Sequence, residues 1–197
     1  NAMAMDTDGQ VVDPFGGQQD LKDKVLRHVS DAFAEDPVRV LRVARFMSRL
    51  AHLGFTVHPD TLALMQQLVQ QGEVAELVAE RVWQEIKNSL NQETPSAFFL
   101  TLRDCGALKI LLPELDVLFG IPQTKKWHPE VDTGIHAMLA IDQAKNLEND
   151  VAYAVMVHDL GKGITPADIL PSHYGHEMAG VPLVKAVSKR LKVPNHY

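Results

Sequence analysis

Near the end of an apolar stretch the chain reads Val157-His158-Asp159-Leu160-Gly161-Lys162-Gly163, which brings an imidazole, a carboxylate and an ammonium close together. An unpaired His-Asp pair buried at the end of such a helix is costly, so a partner must satisfy it. A divalent metal does so naturally, because neutral imidazole and carboxylate are both ligands and the ion supplies positive charge. His136 lies on the preceding predicted helix and returns beside His158 and Asp159 if the chain reverses through Glu148-Asn149-Asp150. His173 and His176 follow the loop 165–172 and can face the same cavity. Glycine at 161 permits a sharp turn that aims Lys162 back toward a substrate phosphate. These groups allow a divalent metal, nickel or magnesium, to activate water toward a phosphoester while Lys162 or a histidine such as His176 neutralises the developing charge. The plainer reading is a chance His-Asp dipeptide whose imidazole bonds a backbone carbonyl. His136 upstream and Gly175-His176-Glu177 downstream favour the metal.

A second constellation is Glu35-Asp36-Pro37-Val38-Arg39-Val40-Leu41-Arg42-Val43-Ala44-Arg45-Phe46, followed by Arg49. At ~100° per residue the four arginines share one helix face, with Val40, Val43, Ala44, Met47 and Leu50 on another. By itself such a stripe reads most simply as a solvated cationic face. Glu35 and Asp36 one turn before Arg39 add a second reading: an acceptor and a fork of donors side by side can read the edge of a base, while Arg42 holds a phosphate.

The elements that must position these groups are mostly helices. Ala4-Met5 and Gln10-Val11-Val12 flank Asp6-Thr7-Asp8-Gly9, which predicts two short strands joined by an Asp-Gly turn. Asp13-Pro14-Phe15-Gly16-Gly17 ends the strand and leads into a helical pattern from Asp20. Asp36 and Pro37 open a helix that runs to about His52 before Gly54 stops it. Further helices are expected over 59–70, 81–91, 96–105, 131–147, 151–160 and 177–191, with a junction near Gly120 to Trp127. The predicted class is all-α with a short β-hairpin at the front. His28, His52 and His58 read as capping or surface residues, His128 as a junction residue, and Trp83 and Trp127 as core or boundary anchors.

Composition narrows the partners. With 46% apolar and 22% charged residues the 197-residue chain is an ordinary globular one, and disorder throughout is excluded. The net charge of −6 excludes a strongly basic coat protein and requires that any nucleic acid be held by a local basic face. Cys105 is alone, so it forms no internal disulfide and reads as a buried thiol in a reducing cytoplasm. No apolar run approaches the ~18–20 residues that cross a bilayer, and no signal-peptide pattern is present. No membrane partner is expected.

At its two constellations the chain resembles the bacterial tRNA nucleotidyltransferases of the second class, the CCA-adding enzymes, in the form that carries a C-terminal HD phosphohydrolase domain. The resemblance rests on Asn1-Ala2-Met3-Ala4, Asp13-Pro14-Phe15-Gly16-Gly17, Asp20-Leu21, the stretch from Glu35 to Phe46, and His158-Asp159-Leu160-Gly161-Lys162-Gly163, and it spans essentially the whole chain. It implies the end of a nucleotidyltransferase head over 1–17, a helical neck and body over 18–122, and part of a helical HD domain over 123–197. It further implies that Glu35, Asp36 and Arg39 pair with incoming CTP or ATP, with Arg42 helping to hold the nucleotide. His136, His158 and Asp159 become ligands of a divalent metal in a phosphatase, 2′-nucleotidase and 2′,3′-cyclic phosphodiesterase site. The implied partners are tRNA, CTP, ATP and nucleotides bearing a 2′-phosphate or 2′,3′-cyclic phosphate.

Two departures from the family pattern matter. The Gly-Ser motif and paired aspartates that hold catalytic Mg2+ would precede Asn1, so the chain is expected to be an internal fragment that does not add CCA alone. The aspartate that ends the HD pattern has no candidate between Glu177 and Tyr197, which leaves the metal set one ligand short. Two other classes compete: a free-standing HD phosphohydrolase in which residues 1–120 only scaffold, and a non-catalytic helical RNA-binding module.

Overall fold

The computed structural model describes residues 3–197, so the Asn1-Ala2 part of the opening motif lies outside the described residues. The expected hairpin forms: β1 (Ala4–Met5) pairs antiparallel with β2 (Val11–Val12). Asp6 Oδ1 holds its turn by accepting from the backbone N–H of Asp8 and Gln10. Helix α1 (Gly17–Asp23) starts before Asp20 because the Asp13 carboxylate accepts from Gly17 N at 2.7 Å and Gln18 N at 2.8 Å. Those two N–H groups belong to the first turn and would otherwise lack partners. Next, β3 (Val25–Leu26) pairs in parallel with β4 (Thr56–Val57). Periodicity did not reveal this second sheet, since a two-residue strand carries no alternation to read.

Helix α2 (Val38–Leu50) begins as expected, with Asp36 Oδ1 accepting from Val38 N at 3.1 Å and the Asp36 carbonyl accepting from Arg39 N at 2.9 Å. It buries Val40, Leu41, Ala44 and Ser48 against α4 (Ala79–Leu90) and α5 (Ser96–Asp104). Between them α3 (Pro59–Gln70) is capped by His58, whose Nδ1 accepts from Asp60 N at 3.2 Å. The arginine stripe is not uniformly solvated. Arg42 and Arg49 are exposed, but Arg45 Nε lies 2.6 Å from the buried carboxylate of Glu85 on α4. The stripe on α2 therefore faces partly into the protein, because a buried acid on the facing helix has to be neutralised.

Two short helices, α6 (Ala107–Leu111) and α7 (Pro113–Asp116), connect to the C-terminal part. There α8 (Thr133–Gln143) and α9 (Asn149–Val157) pack together, and a 3-10 turn over Leu160–Ile164 packs on α10 (His176–Arg190). The buried side chains form one continuous cluster from Phe33 to Leu191. Asp142 on α8 accepts from both the backbone N–H and the hydroxyl of Ser96 at 2.9 and 2.7 Å, and Arg190 on α10 makes a two-pronged bond to Glu114 at 2.8 and 2.6 Å. Both ties cross the junction near Gly120. Cys105 is buried and unpaired, and burial pushes its thiol up to about 11. Among the described residues, no helix is long and apolar enough to cross a membrane.

The two kinds of arginine separate in stability. Arg45→Ala leaves Glu85 buried without its cation and is expected to cost about 1–3 kcal/mol in urea denaturation, whereas Arg49→Ala at the exposed face stays within about 0.5 kcal/mol of the parent.

Candidate metal centre and arginine face

Helix α9 stops at Val157, and the next residues turn back into the 3-10 segment, so His158 and Asp159 stand at the helix end as expected. Asp159 is the centre of the site. Its Oδ2 is 3.7 Å from His136 Nε2 on α8, 3.2 Å from His158 Nε2 and 2.7 Å from Lys162 Nζ, while its Oδ1 is 3.3 Å from His176 Nε2 at the start of α10. Ligand atoms of His136, His158 and Asp159 all lie within 4.8 Å of one another. Asp159 is buried, and its Oδ2 meets no donor in hydrogen-bonding geometry despite the close ammonium.

The far ring nitrogens decide what these histidines present. His158 Nδ1 sits 2.7 Å from the Val155 carbonyl and His176 Nδ1 2.7 Å from the His173 carbonyl; a carbonyl only accepts, so each Nδ1 carries the proton. His136 Nδ1 sits 2.6 Å from Glu130 Oε1, which imposes the same state. All three rings therefore turn Nε2 toward the Asp159 carboxylate. Imidazole nitrogens and a carboxylate oxygen within reach of one another are a donor set that a divalent metal fits. Burial pushes the Asp159 carboxyl up, but His158 and Lys162 outweigh it and hold it well below the usual carboxylate range. The Asp159 carboxylate in turn raises the His158 imidazole above its ordinary value. The backbone-carbonyl reading of His158 is thus true of one nitrogen and leaves the other for the site.

Sequence reasoning missed part of this arrangement. His128, expected to be a junction residue, lies 3.4 Å from Glu130 Oε1, with its ring centroid 4.5 Å from that of His136. Burial, followed by the charges of Lys162 and His136, lowers the His128 imidazole. Buried Gln123 donates from Nε2 to Glu130 Oε1 at 3.2 Å and accepts at Oε1 from Lys162 Nζ at 3.0 Å. A closed ring results: Asp159, Lys162, Gln123, Glu130, His136 and back to Asp159. The motif HPEVDTGIH, with Glu130 six residues before His136, was the available signal. His173 does not join the ligands, since both its ring nitrogens are engaged, by Thr165 Oγ1 at 2.7 Å and the Pro122 carbonyl at 3.0 Å.

Two expectations about the glycine-lysine turn change. Gly161 is not among the residues with positive φ; its role is close approach, because a Cβ there would run into the His176 carbonyl and lie 2.7 Å from Gly180 N. Lys162 is buried and turned inward onto Asp159 and Gln123 rather than outward toward a phosphate. The attraction between ammonium and carboxylate is stronger in the low-dielectric interior than in water and offsets the desolvation of both.

At the other end, the candidate nucleotide residues cluster around the start of α2. The Asp36 carboxylate is held by Arg81 Nη2 at 3.1 Å and by the Val38 N–H, which outweigh burial and lower its pKa. Arg39 Nη1 donates to the Ala32 carbonyl. Asp36 and Arg39 are therefore each fixed by other partners, one turn apart, and Glu35 is exposed. Arg39 and Arg42 line a cavity of about 460 Å³ together with Arg27, His28, Phe33 and Phe46.

The family model described as "Probable RNA and SrmB- binding site of polymerase A" matches residues 54–119. Over its full length the chain is 56% identical to the Multifunctional CCA protein of Thioalkalivibrio sulfidiphilus and 55% identical to that of Vibrio cholerae, covering 49% of each. The chain thus spans about half the length of the curated relatives it matches. A solved CCA-adding enzyme with CTP is 27% identical with a TM-score of 0.52, over 79% of this chain and 40% of that one. The Thermotoga maritima CCA-adding enzyme complexed with tRNA shares the fold at 23% identity and a TM-score of 0.53, over 96% of this chain and 45% of that one. The resemblance drawn from the motifs is borne out.

Two substitutions test the site, one by nickel calorimetry and one by thermal unfolding. Glu130→Ala removes the group that keeps His136 Nε2 free and is expected to weaken nickel binding about 10–100-fold. Gly161→Ala pushes α10 away from the 3-10 turn and is expected to cost about 1–3 kcal/mol in thermal unfolding.

Proposed function

We propose that this chain is an internal part of a longer CCA-adding tRNA nucleotidyltransferase and that residues 123–197 contribute a metal-dependent phosphohydrolase site. The division into a head remnant over 1–17, a neck and body over 18–122 and a partial HD domain over 123–197 follows the same reading. Support for the transferase comes from the 54–56% identity along the whole chain to proteins named Multifunctional CCA protein. Support for the hydrolase is one observation: ligand atoms of His136, His158 and the buried Asp159 lie within 4.8 Å of one another, with His176 Nε2 3.3 Å from the other carboxylate oxygen.

In the hydrolase, His136, His158 and Asp159 would hold the ion. A bound divalent metal supplies a Lewis acid and lowers the pKa of a coordinated water toward neutrality. Lys162 neutralises Asp159 from the buried side and keeps its oxygens oriented. His176 faces the other carboxylate oxygen, and its Nε2 is placed to carry a proton toward a leaving alkoxide while His173 holds its Nδ1. The substrates are phosphoesters of the 2′-phosphate and 2′,3′-cyclic phosphate classes, with nickel or magnesium as the metal.

In the transferase, Arg39 presents a fork of donors and Asp36 an acceptor toward the base of CTP or ATP, with Glu35 beside them and Arg42 on the phosphate. Because Arg81 and the Ala32 carbonyl already hold the pair, little ordering is left for nucleotide binding. Mg2+ for nucleotidyl transfer belongs to the head that precedes this part, and the tRNA runs along the helical body.

Hydrolysis of 2′,3′-cyclic AMP by this chain with nickel, magnesium or chelator is the test. Metal-dependent turnover abolished by His158→Ala is the expected result. Turnover by a chain extended past Tyr197 but not by this one would place an essential ligand in the extension, and failure of both would refute the hydrolase. The RNA-binding module then predicts weaker tRNA binding on Arg42→Ala and no effect of metal.

A further inference from the structure

Exposed apolar side chains are unevenly distributed. Among the described residues, the large apolar side chains at 70% exposure or above are Met5, Trp127 (71%), Tyr174 (86%) and Met178 (76%). Apart from Met5, each borders the metal centre in sequence: Trp127 precedes His128, Tyr174 lies between His173 and His176, and Met178 sits in the first turn of α10 just after His176. The histidines reach inward to Glu130, Asp159 and the loop carbonyls, so the side chains between them are turned out at the rim. Large aromatic groups left in water beside a cluster of histidines and a buried carboxylate mark a candidate binding surface.

The two aromatic loops are fastened to each other. Thr124 Oγ1 donates to the Pro171 carbonyl at 3.4 Å, and His173 Nε2 meets the Pro122 carbonyl at 3.0 Å. Trp127 and Tyr174 thus stand on one braced frame rather than on separate flexible segments. No aromatic ring among the described residues stacks on either of them, and the group over the Trp127 ring is the ammonium of Lys126, 4.6 Å from its centroid. With Lys125 beside it, this rim carries two cations in a chain whose net charge is −6. Exposed aromatics interleaved with lysines are what a planar base attached to a phosphate requires: a π-face for the base and cations for the anion.

We propose that Trp127 and Tyr174 form a stacking platform for the nucleobase of a substrate whose phosphate enters the Asp159 centre, with Lys125 and Lys126 screening its charge. The proposal rests on the phosphohydrolase reading and adds the residues that seat the base, whether it belongs to a free nucleotide or to the end of an RNA strand.

The test is calorimetry on the whole 197-residue chain loaded with nickel, with a non-hydrolysable phosphonate analogue of adenosine 2′-monophosphate, a short oligoadenylate and inorganic phosphate as probes. Trp127→Ala and Tyr174→Ala are each expected to weaken the base-bearing ligands about 5- to 150-fold, to leave inorganic phosphate unchanged, and to leave thermal unfolding unchanged because both side chains are exposed. Trp127→Phe retains most of the affinity. Loss confined to the oligoadenylate identifies the RNA end as the source of the base, and loss with the mononucleotide identifies free nucleotides. Unchanged affinity in both variants, or no binding of either base-bearing probe, overturns the platform. Metal-dependent hydrolysis of the base-free substrate β-glycerophosphate by the parent chain shows that the hydrolase stands independently of it.

Discussion

A buried carboxylate organises the C-terminal half. Asp159 is taken out of water at the end of α9, and its charge must be met from whatever elements reach it. His136 comes from α8, Lys162 from the 3-10 turn and His176 from α10, so the packing of all these elements is coupled to one anion. Lys162 is its nearest cation, 2.7 Å from Oδ2, and the Nε2 atoms of His136, His158 and His176 complete the cluster.

Close approach of backbones makes that convergence possible. Gly161 and Gly180 let the 3-10 turn and α10 come within the space of a missing Cβ, which sets His176 opposite Asp159. Gly134 acts similarly at the start of α8, where a Cβ would meet the Phe119 ring at 2.5 Å and its Cα at 2.7 Å. Dense packing transmits small displacements, so the ligands inherit their precision from these contacts. The same economy appears at the arginine face, where Arg45 neutralises buried Glu85 and leaves Arg39 and Arg42 at the cavity.

The two sites share one core. Ser96 on Asp142 and Arg190 on Glu114 tie the body helices to the C-terminal elements, and no gap in the buried cluster separates them. Stability of the Asp159 cluster therefore depends on the body, even though His136, His158 and Asp159 all lie beyond residue 122.

The sequence by itself determined the longer helices, the front hairpin, the His136, His158 and Asp159 set, and the buried thiol. These are local: apolar residues repeating every three or four positions report a helix face, and a short polar motif ending an apolar helix reports a functional group. What only the tertiary structure decided lies between segments distant in the chain. The strands Val25–Leu26 and Thr56–Val57 are too short to carry a pattern, and Glu85 looks like any surface acid until α2 packs over it. Lys162 turns inward because Asp159 and Gln123 offer it more than solvent does, and His128 enters the site because Glu130 bonds both it and His136. Hydrogen-bond partners of buried polar groups are chosen by chain reversal and close packing, neither of which is written in the spacing of one segment.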